Sequence, residues 1–152
     1  MVGARTTGSL FGVASTLIER NSAGTFAADD LVKGDGSSGE AVVATAGSLV
    51  LGVAVESATS ASTGVQIDAT FASTVLMDND NTGTTFAATH VDRYVDMIGG
   101  TGAIVIDTSS VNTTVATFKY LEYNPQGYGL DSDTSIARLL IMESELGSLA
   151  IN

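Results

Sequence analysis

The chain contains no cysteine and no tryptophan, a single proline at Pro125 and a single histidine at His90. Without cysteine it has no disulfide, no thiolate metal site and no cysteine nucleophile. That absence fits assembly in a reducing cytoplasm. One histidine leaves little for general acid–base work. His90 lies in "TTFAATHVDRYVD", at the start of a segment that reads as a strand, with no G-x-S-x-G elbow to serve. We expect a strand-end histidine rather than a catalytic one. Basic side chains are scarce too, with 6 Lys and Arg against 17 Asp and Glu and a formal net charge of -11. Phosphate backbones are gripped by Lys and Arg, so this balance argues against a nucleic-acid partner. The acidic excess reads first as solubility. Long apolar runs are also missing. Ala41–Ala44 and Leu49–Val55 fall far short of the roughly 20 residues that cross a bilayer as a helix, so no membrane role is expected. Nothing after Arg5 resembles the apolar region of a secretory leader.

What the chain does have is 152 residues, of which 44% are apolar and 15% charged, enough to build a core and unlike a disordered chain. Short β-branched and apolar runs recur between clusters of Gly, Asn, Asp and Ser, which is the pattern of an all-β sandwich or small barrel. Leu49–Ala58 is the strongest strand candidate. Gly64–Phe71 alternates with period two, and "STVLMD" follows as another strand. His90–Gly100, Gly102–Ser109 and Thr114–Asn124 continue the series, the last closed by Pro125. Ser135–Leu146 reads as a terminal strand. The first 21 residues differ: glycines and small residues with Leu10, Phe11, Val13, Leu17 and Ile18 scattered among them. They read as an extended N-terminal arm, with residues 22–152 as the folded domain and Thr16–Glu19 as its first strand. "TFAADDLVKGDG" at Thr25 echoes "TFAATHVDRYVD" at Thr85. Four common residues coincide readily by chance, and the echo is taken as coincidence.

The search for chemistry returns turns. "KGDGSSGE" has its lysine before the glycines and a strand after them, so it is a hairpin turn and not a phosphate loop. Paired carboxylates at Asp29/Asp30, Asp78/Asp80, Asp92/Asp96, Asp131/Asp133 and Glu143/Glu145 gather no aromatic cleft and read as solvated turn residues. "DNDNTG" places Asp78, Asp80, Thr82 and Gly83 like the opening of a calcium loop. The twelfth position is Thr89 where a bidentate glutamate is needed, and the flanks are strands, so a tight turn is expected in place of a metal. No cofactor, no metal and no catalytic residue is expected.

The run from Ala23 to Asn81, "GTTFAATHVDRYVDMIGGTGAIVIDTSS", "FKYLEYNPQGYG" and "ARLLIMESEL" together resemble the capsid decoration (cement) proteins of tailed bacteriophages. The resemblance rests on strand-and-turn patterns, Phe26 to Val32 and Gly47 to Ala54 among them. It implies a small β-barrel, β-tulip or sandwich domain, trimeric, on the outer surface of the virion capsid, with the major capsid protein as partner and no enzymatic activity. An arm would suit such a role, pairing its backbone with a neighbour's strand edge while Leu10, Phe11, Val13, Leu17 and Ile18 fill pockets. The alternatives are another virion module (a head-fibre base or a tail-tube subunit) and a small carbohydrate- or calcium-binding β module.

Overall fold

The computed structural model describes residues 3–79, 86–113, 116–123, 136–144 and 147–148. Over these residues the domain is all-β, with two antiparallel sheets and one short 3-10 turn at Ala88–His90. Its strands are β1 (Arg5–Ser9), β2 (Leu17–Asn21), β3 (Leu31–Gly34), β4 (Ala41–Val43), β5 (Gly52–Ala54), β6 (Gly64–Asp68), β7 (Ser73–Asp78), β8 (Tyr94–Ile98), β9 (Val105–Asn112), β10 (Phe118–Tyr123) and β11 (Ile136–Ile141). A two-stranded ribbon of β12 (Glu143–Ser144) and β13 (Gly147–Ser148) follows. The larger sheet runs β1-β7-β11-β10-β8-β9 and the smaller β2-β6-β5-β3-β4. The architecture is sandwich-like, and the described residues form no closed barrel. Two expected strands are shorter than the pattern suggested. Leu49–Ala58 contributes only Gly52–Ala54, and His90 belongs to the 3-10 turn, the strand beginning four residues later at Tyr94. Asp92 explains the second difference. Its φ of 68° is left-handed, so the chain turns sharply before the strand starts.

The two sheets contain one motif built twice. Raising each label of the order β2-β6-β5-β3-β4 by five gives β7-β11-β10-β8-β9, the larger sheet without β1. The registers coincide as well. Ile18 faces Ile67, which faces Ala54; in the second half Val75 faces Leu139, which faces Tyr120. Leu31 opposite Val53 corresponds to Tyr94 opposite Lys119, and Gly34 opposite Ala41 to Met97 opposite Ile106. Asp29 and Asp92 share the same φ of 68°. The N–H of each donates to an equivalent carbonyl, Ala54 and Tyr120, at 2.9 Å. Even the isolated parallel bridges match: Ser22 to Ala41 and Asn79 to Ile106. Each bridge ties the end of the motif's first strand to its third strand, across the sheet, so each sheet is curled. The echo at Thr25 and Thr85, taken from sequence as coincidence, falls at the same stage of the two motifs, though Thr85 itself lies outside the described residues. Phe26 and Phe86, both 2% exposed, mark the same step into the β3 and β8 strands. Strand order and register are kept by backbone pairing, which leaves most side chains free to differ between the two motifs.

The main core lies between the sheets. Val75, Met77, Val95, Met97, Ile106, Phe118, Tyr120 and Leu139 of the larger sheet pack with Leu31 and Val53 of the smaller. A second cluster, Phe26, Val32, Ala41, Leu51, Ala54, Ala58, Val65 and Ile67, fills the other face of the smaller sheet. Alternation places both sets. In β6, Val65 and Ile67 are buried while Gly64 and Gln66 are exposed. Asp30, 1% exposed, holds the halves together: its carboxylate accepts from the N–H of Ala27 at 2.9 Å and of Gly102 at 3.0 and 2.9 Å. Asp96 does the same in the other direction, accepting from the Gly47 N–H at 2.9 Å.

Candidate binding surface

The first 21 residues, read in the sequence as one arm, are largely woven into the two sheets. β1 pairs along β7, and β2 pairs along β6 without a break in register. Gly3 donates to the Ile104 carbonyl at 3.0 Å, Ala4 donates to the Asp29 carbonyl at 2.7 Å, and Ala4 is fully buried. A Cβ at Gly3 would lie 2.6 Å from the Asp29 oxygen, so glycine permits this close approach. Between the two strands, residues 10–16 cross from one sheet to the other. They run beside residues 69–72, which cross back. Leu10 donates to the Ala72 carbonyl at 2.9 Å, Ala69 to the Thr16 carbonyl at 2.8 Å, and the Ser9 hydroxyl to the Phe71 carbonyl at 2.8 Å.

This double crossing carries the named apolar residues to the surface. Leu10, Phe11, Val13 and Leu17 are 46%, 64%, 43% and 53% exposed. Phe11 stacks on Phe71, ring centroids 6.2 Å apart, and Phe71 is itself 43% exposed. Single exposed apolar residues are ordinary, but four on two adjacent crossings, with Leu17 at the start of β2 just beyond, form a patch. Ile18 behaves differently. Its side chain points to the second core and is half buried there. Phe71 was not singled out from sequence, since it closes the alternating run Gly64–Phe71 and reads as a strand residue. The strand ends at Asp68, whose carboxylate accepts from the Thr70 N–H at 3.1 Å and turns the chain.

Beside the outer edge of β2 lies a pocket of about 300 Å³, lined by Glu19, Arg20 and Asn21 of β2 and by Ser38, Gly39 and Glu40 of the β3–β4 hairpin. Asp35 organises that hairpin. Its carboxylate accepts from the N–H groups of Ser37, Ser38 and Gly39 at 3.0 to 3.1 Å and from both serine hydroxyls. Bonds from Ser38 and Ser37 hold its pKa well below the usual carboxylate range.

No catalytic constellation forms among the described residues, and no three metal-ligating side chains meet there. His90 accepts from the Ala87 N–H through Nδ1 at 3.3 Å and stands edge-on to Tyr120, centroids 6.2 Å apart. That is a packing role at a turn. Asp92 pairs with Lys119 at 3.3 Å. Asp78 accepts from the Asn79 N–H at 2.9 Å, while Asp80, Thr82, Gly83, Asp131, Asp133 and Glu145 lie outside the described residues. No described helix is long and apolar enough to cross a membrane. Fold and surface together define a sandwich-like β domain with an exposed apolar patch and an open strand edge. Comparison with protein-family models, curated proteins and solved structures found no match to this chain.

Proposed function

We propose that this chain is a decoration protein of a tailed-bacteriophage capsid, binding the outer surface of the shell as a trimer and clamping neighbouring major capsid protein subunits. The observation that carries the reading is the patch of Leu10, Phe11, Val13, Leu17 and Phe71, held by backbone hydrogen bonds along two adjacent crossings and at the start of β2. An apolar patch of this kind on an otherwise acidic domain suits a protein partner, buried in the contact while the charges stay wet. Many weak copies of one contact, repeated over a shell, give firm attachment by avidity. The chain acts here as a clamp and performs no reaction.

Co-sedimentation with empty shells of the phage that encodes it tests this. Removing the first 18 residues would strip β1 and the buried Ala4, so the clean variants are Phe11→Asp and Phe71→Asp, which change only exposed rings. The wild-type chain pellets with shells and the double variant stays in the supernatant. Absence of wild-type chain from the pellet refutes the reading.

A further inference from the structure

The repeated motif makes the first half predict the second, and one part is missing from the first. In the second half, the strand β7 has β1 along its outer edge: Arg5 faces Leu76, Thr6 faces Val75, Gly8 faces Thr74 and Ser9 faces Ser73. Just before β1, Gly3 reaches across to Ile104, two residues ahead of Ile106. The chain therefore enters a slot between β7 and the start of β9 and then runs along β7. The matching strand of the first half is β2, with Leu17, Ile18 and Glu19 at the places of Thr74, Val75 and Leu76. Gly39 stands two residues ahead of Ala41, the counterpart of Ile106. Between Gly39 and Glu19–Asn21 lies the 300 Å³ pocket. A Cβ built on Gly39 meets nothing within 4 Å. The pocket is the first half's copy of the slot that Gly3 and Ala4 fill in the second.

The edge beside it is built to accept a strand. Pairs in an antiparallel ladder alternate between hydrogen-bonded and open. Thr16 accepts from Ala69 and Ser22 donates to Thr63, so residues of even number in β2 bond to β6. The N–H and C=O groups of Leu17 and Glu19 therefore point outward, while past Asn21 the edge meets β4, where Ala23 donates to the Ala41 carbonyl at 2.9 Å. Two of the other edges carry protection: β1 has a bulge between Thr6 and Gly8, and β4 is three residues long. β2 has five residues in unbroken register and contains neither proline nor glycine.

We infer that the slot and outer edge of β2 receive an extended segment of another protein, which pairs antiparallel with residues 17–19 as β1 pairs with β7. Its chemistry follows from the walls. The slot end takes small residues, as it takes Gly3 and Ala4 in the second half. The position opposite Glu19 takes a cation, since Glu19 is an exposed carboxylate and opposite charges across strands attract; Arg5 holds the corresponding place in β1. Glu19 and Glu40 line the slot against one cation, Arg20, and the chain carries a net charge of -11, a balance that favours a basic segment. At the other end, Leu17 leads into the apolar patch. A second copy of this chain fits poorly. A two-fold pairing of β2 with β2 centred on Glu19 sets the two glutamates opposite each other, and like charges across strands repel. This inference stands on the repeat and the edge, independently of the shell reading.

The test uses the full chain, isotope-labelled, and a synthetic peptide of its own residues 3–11, GARTTGSLF, as the surrogate strand. Titrated at low salt, the peptide shifts the amides of Leu17, Glu19 and Gly39, saturably. Glu19→Pro removes an outward N–H and keeps every bond from β2 to β6, so it weakens peptide binding about tenfold or more with the other amide resonances in place. Glu19→Lys leaves the backbone intact and weakens binding about threefold, an effect that salt reduces in the wild type. Absence of shifts in β2, or equal affinity in wild type and Glu19→Lys, overturns the inference. A dimer that the peptide dissociates would overturn the choice of a foreign strand and assign the edge to a second copy.

Discussion

Phe118 and Tyr120 stand at the centre of the second half; at the equivalent places of the first stand Gly52 and Ala54. Neither set can be exchanged for the other. A Cβ on Gly52 would lie 2.3 Å from the Asp68 carbonyl oxygen, so the first half has no room for a side chain there. In the second half Tyr120 is fully buried and meets Phe86 at 5.3 Å between centroids. One motif has thus been packed in two ways. The second half uses aromatic rings, covers its first strand with β1 and faces the other sheet. The first half uses small residues, closes with Phe26 and leaves its first strand, β2, at an exposed edge. The difference teaches a division of labour: the second half supplies the anchor, and the first half presents the open edge and part of the apolar patch.

The largest effect comes from making the halves alike by removing what the second has and the first lacks. Deleting residues 3–9 uncovers β7 and takes fully buried Ala4 from the core. The expected outcome is loss of the cooperative thermal transition in circular dichroism. A well-folded deletion product would mean that β1 is dispensable and that the covered and open edges are equivalent. The next effect separates the cores. Phe118→Ala empties a site with no solvent exposure and costs about 3–5 kcal/mol in denaturant unfolding. At the equivalent Gly52 there is nothing to remove, and Gly52→Ala destabilises by overlap instead of by a cavity.

A smaller effect probes the seam between the halves. Asp30→Ala removes the buried carboxylate that the half-buried Ala27 N–H and the exposed Gly102 N–H donate to, and costs about 1–2 kcal/mol, measured by the same unfolding curves. The equivalent residue of the second half is Arg93, which makes no such tie across the seam among the described residues; its carbonyl accepts from the Tyr120 N–H at 2.9 Å. A loss for Asp30→Ala well below this range would show that the halves are held by core packing alone.

Much of the fold was legible because alternation survives in the strands with one buried face. "STVLMD" and "GVQID" announced β7 and β6, and the Asp35 turn was read correctly. The strand expected over Leu49–Ala58 was too long because apolar runs mark burial and not pairing. Val50 and Leu51 are buried ahead of β5, where Leu51 still donates to the Val32 carbonyl at 2.8 Å, and Val55 beyond it is 50% exposed. The duplication was nearly invisible, since equivalent positions hold pairs such as Leu17 and Thr74, or Glu19 and Leu76, chosen by different surroundings. Of the surface, Leu10, Phe11, Val13 and Leu17 were legible as apolar residues in a segment with no helical or strand period. The slot beside β2 was not, because it is defined by what a distant segment, Gly3 to Ser9, does on the other sheet.

The smallest effect concerns the two hairpins that occupy the same place in the motif. The β8–β9 turn relies on glycines, Gly99 and Gly102, with φ of 109° and 67°. The β3–β4 turn relies on Asp35 as well, and this makes it sensitive to acid. The Asp35 pKa is depressed in the folded chain by its serine and backbone donors. A depressed carboxylate contributes fully above its unfolded pKa of about 3.9 and loses its contribution as pH falls through the folded value. At neutral pH the turn is therefore intact, and it loosens only in strong acid, below the range where ordinary carboxylates titrate. Because the side chain is exposed, the effect on global stability is slight, and the measurement is local. The Ser37, Ser38 and Gly39 amide resonances hold steady down through pH 4 and move only below it. Asp35→Asn abolishes that titration, while the Gly99–Gly102 amides follow their own course in both chains. Movement of Gly39 near pH 4 would mean that Asp35 is an ordinary carboxylate and that the slot wall it builds is soft.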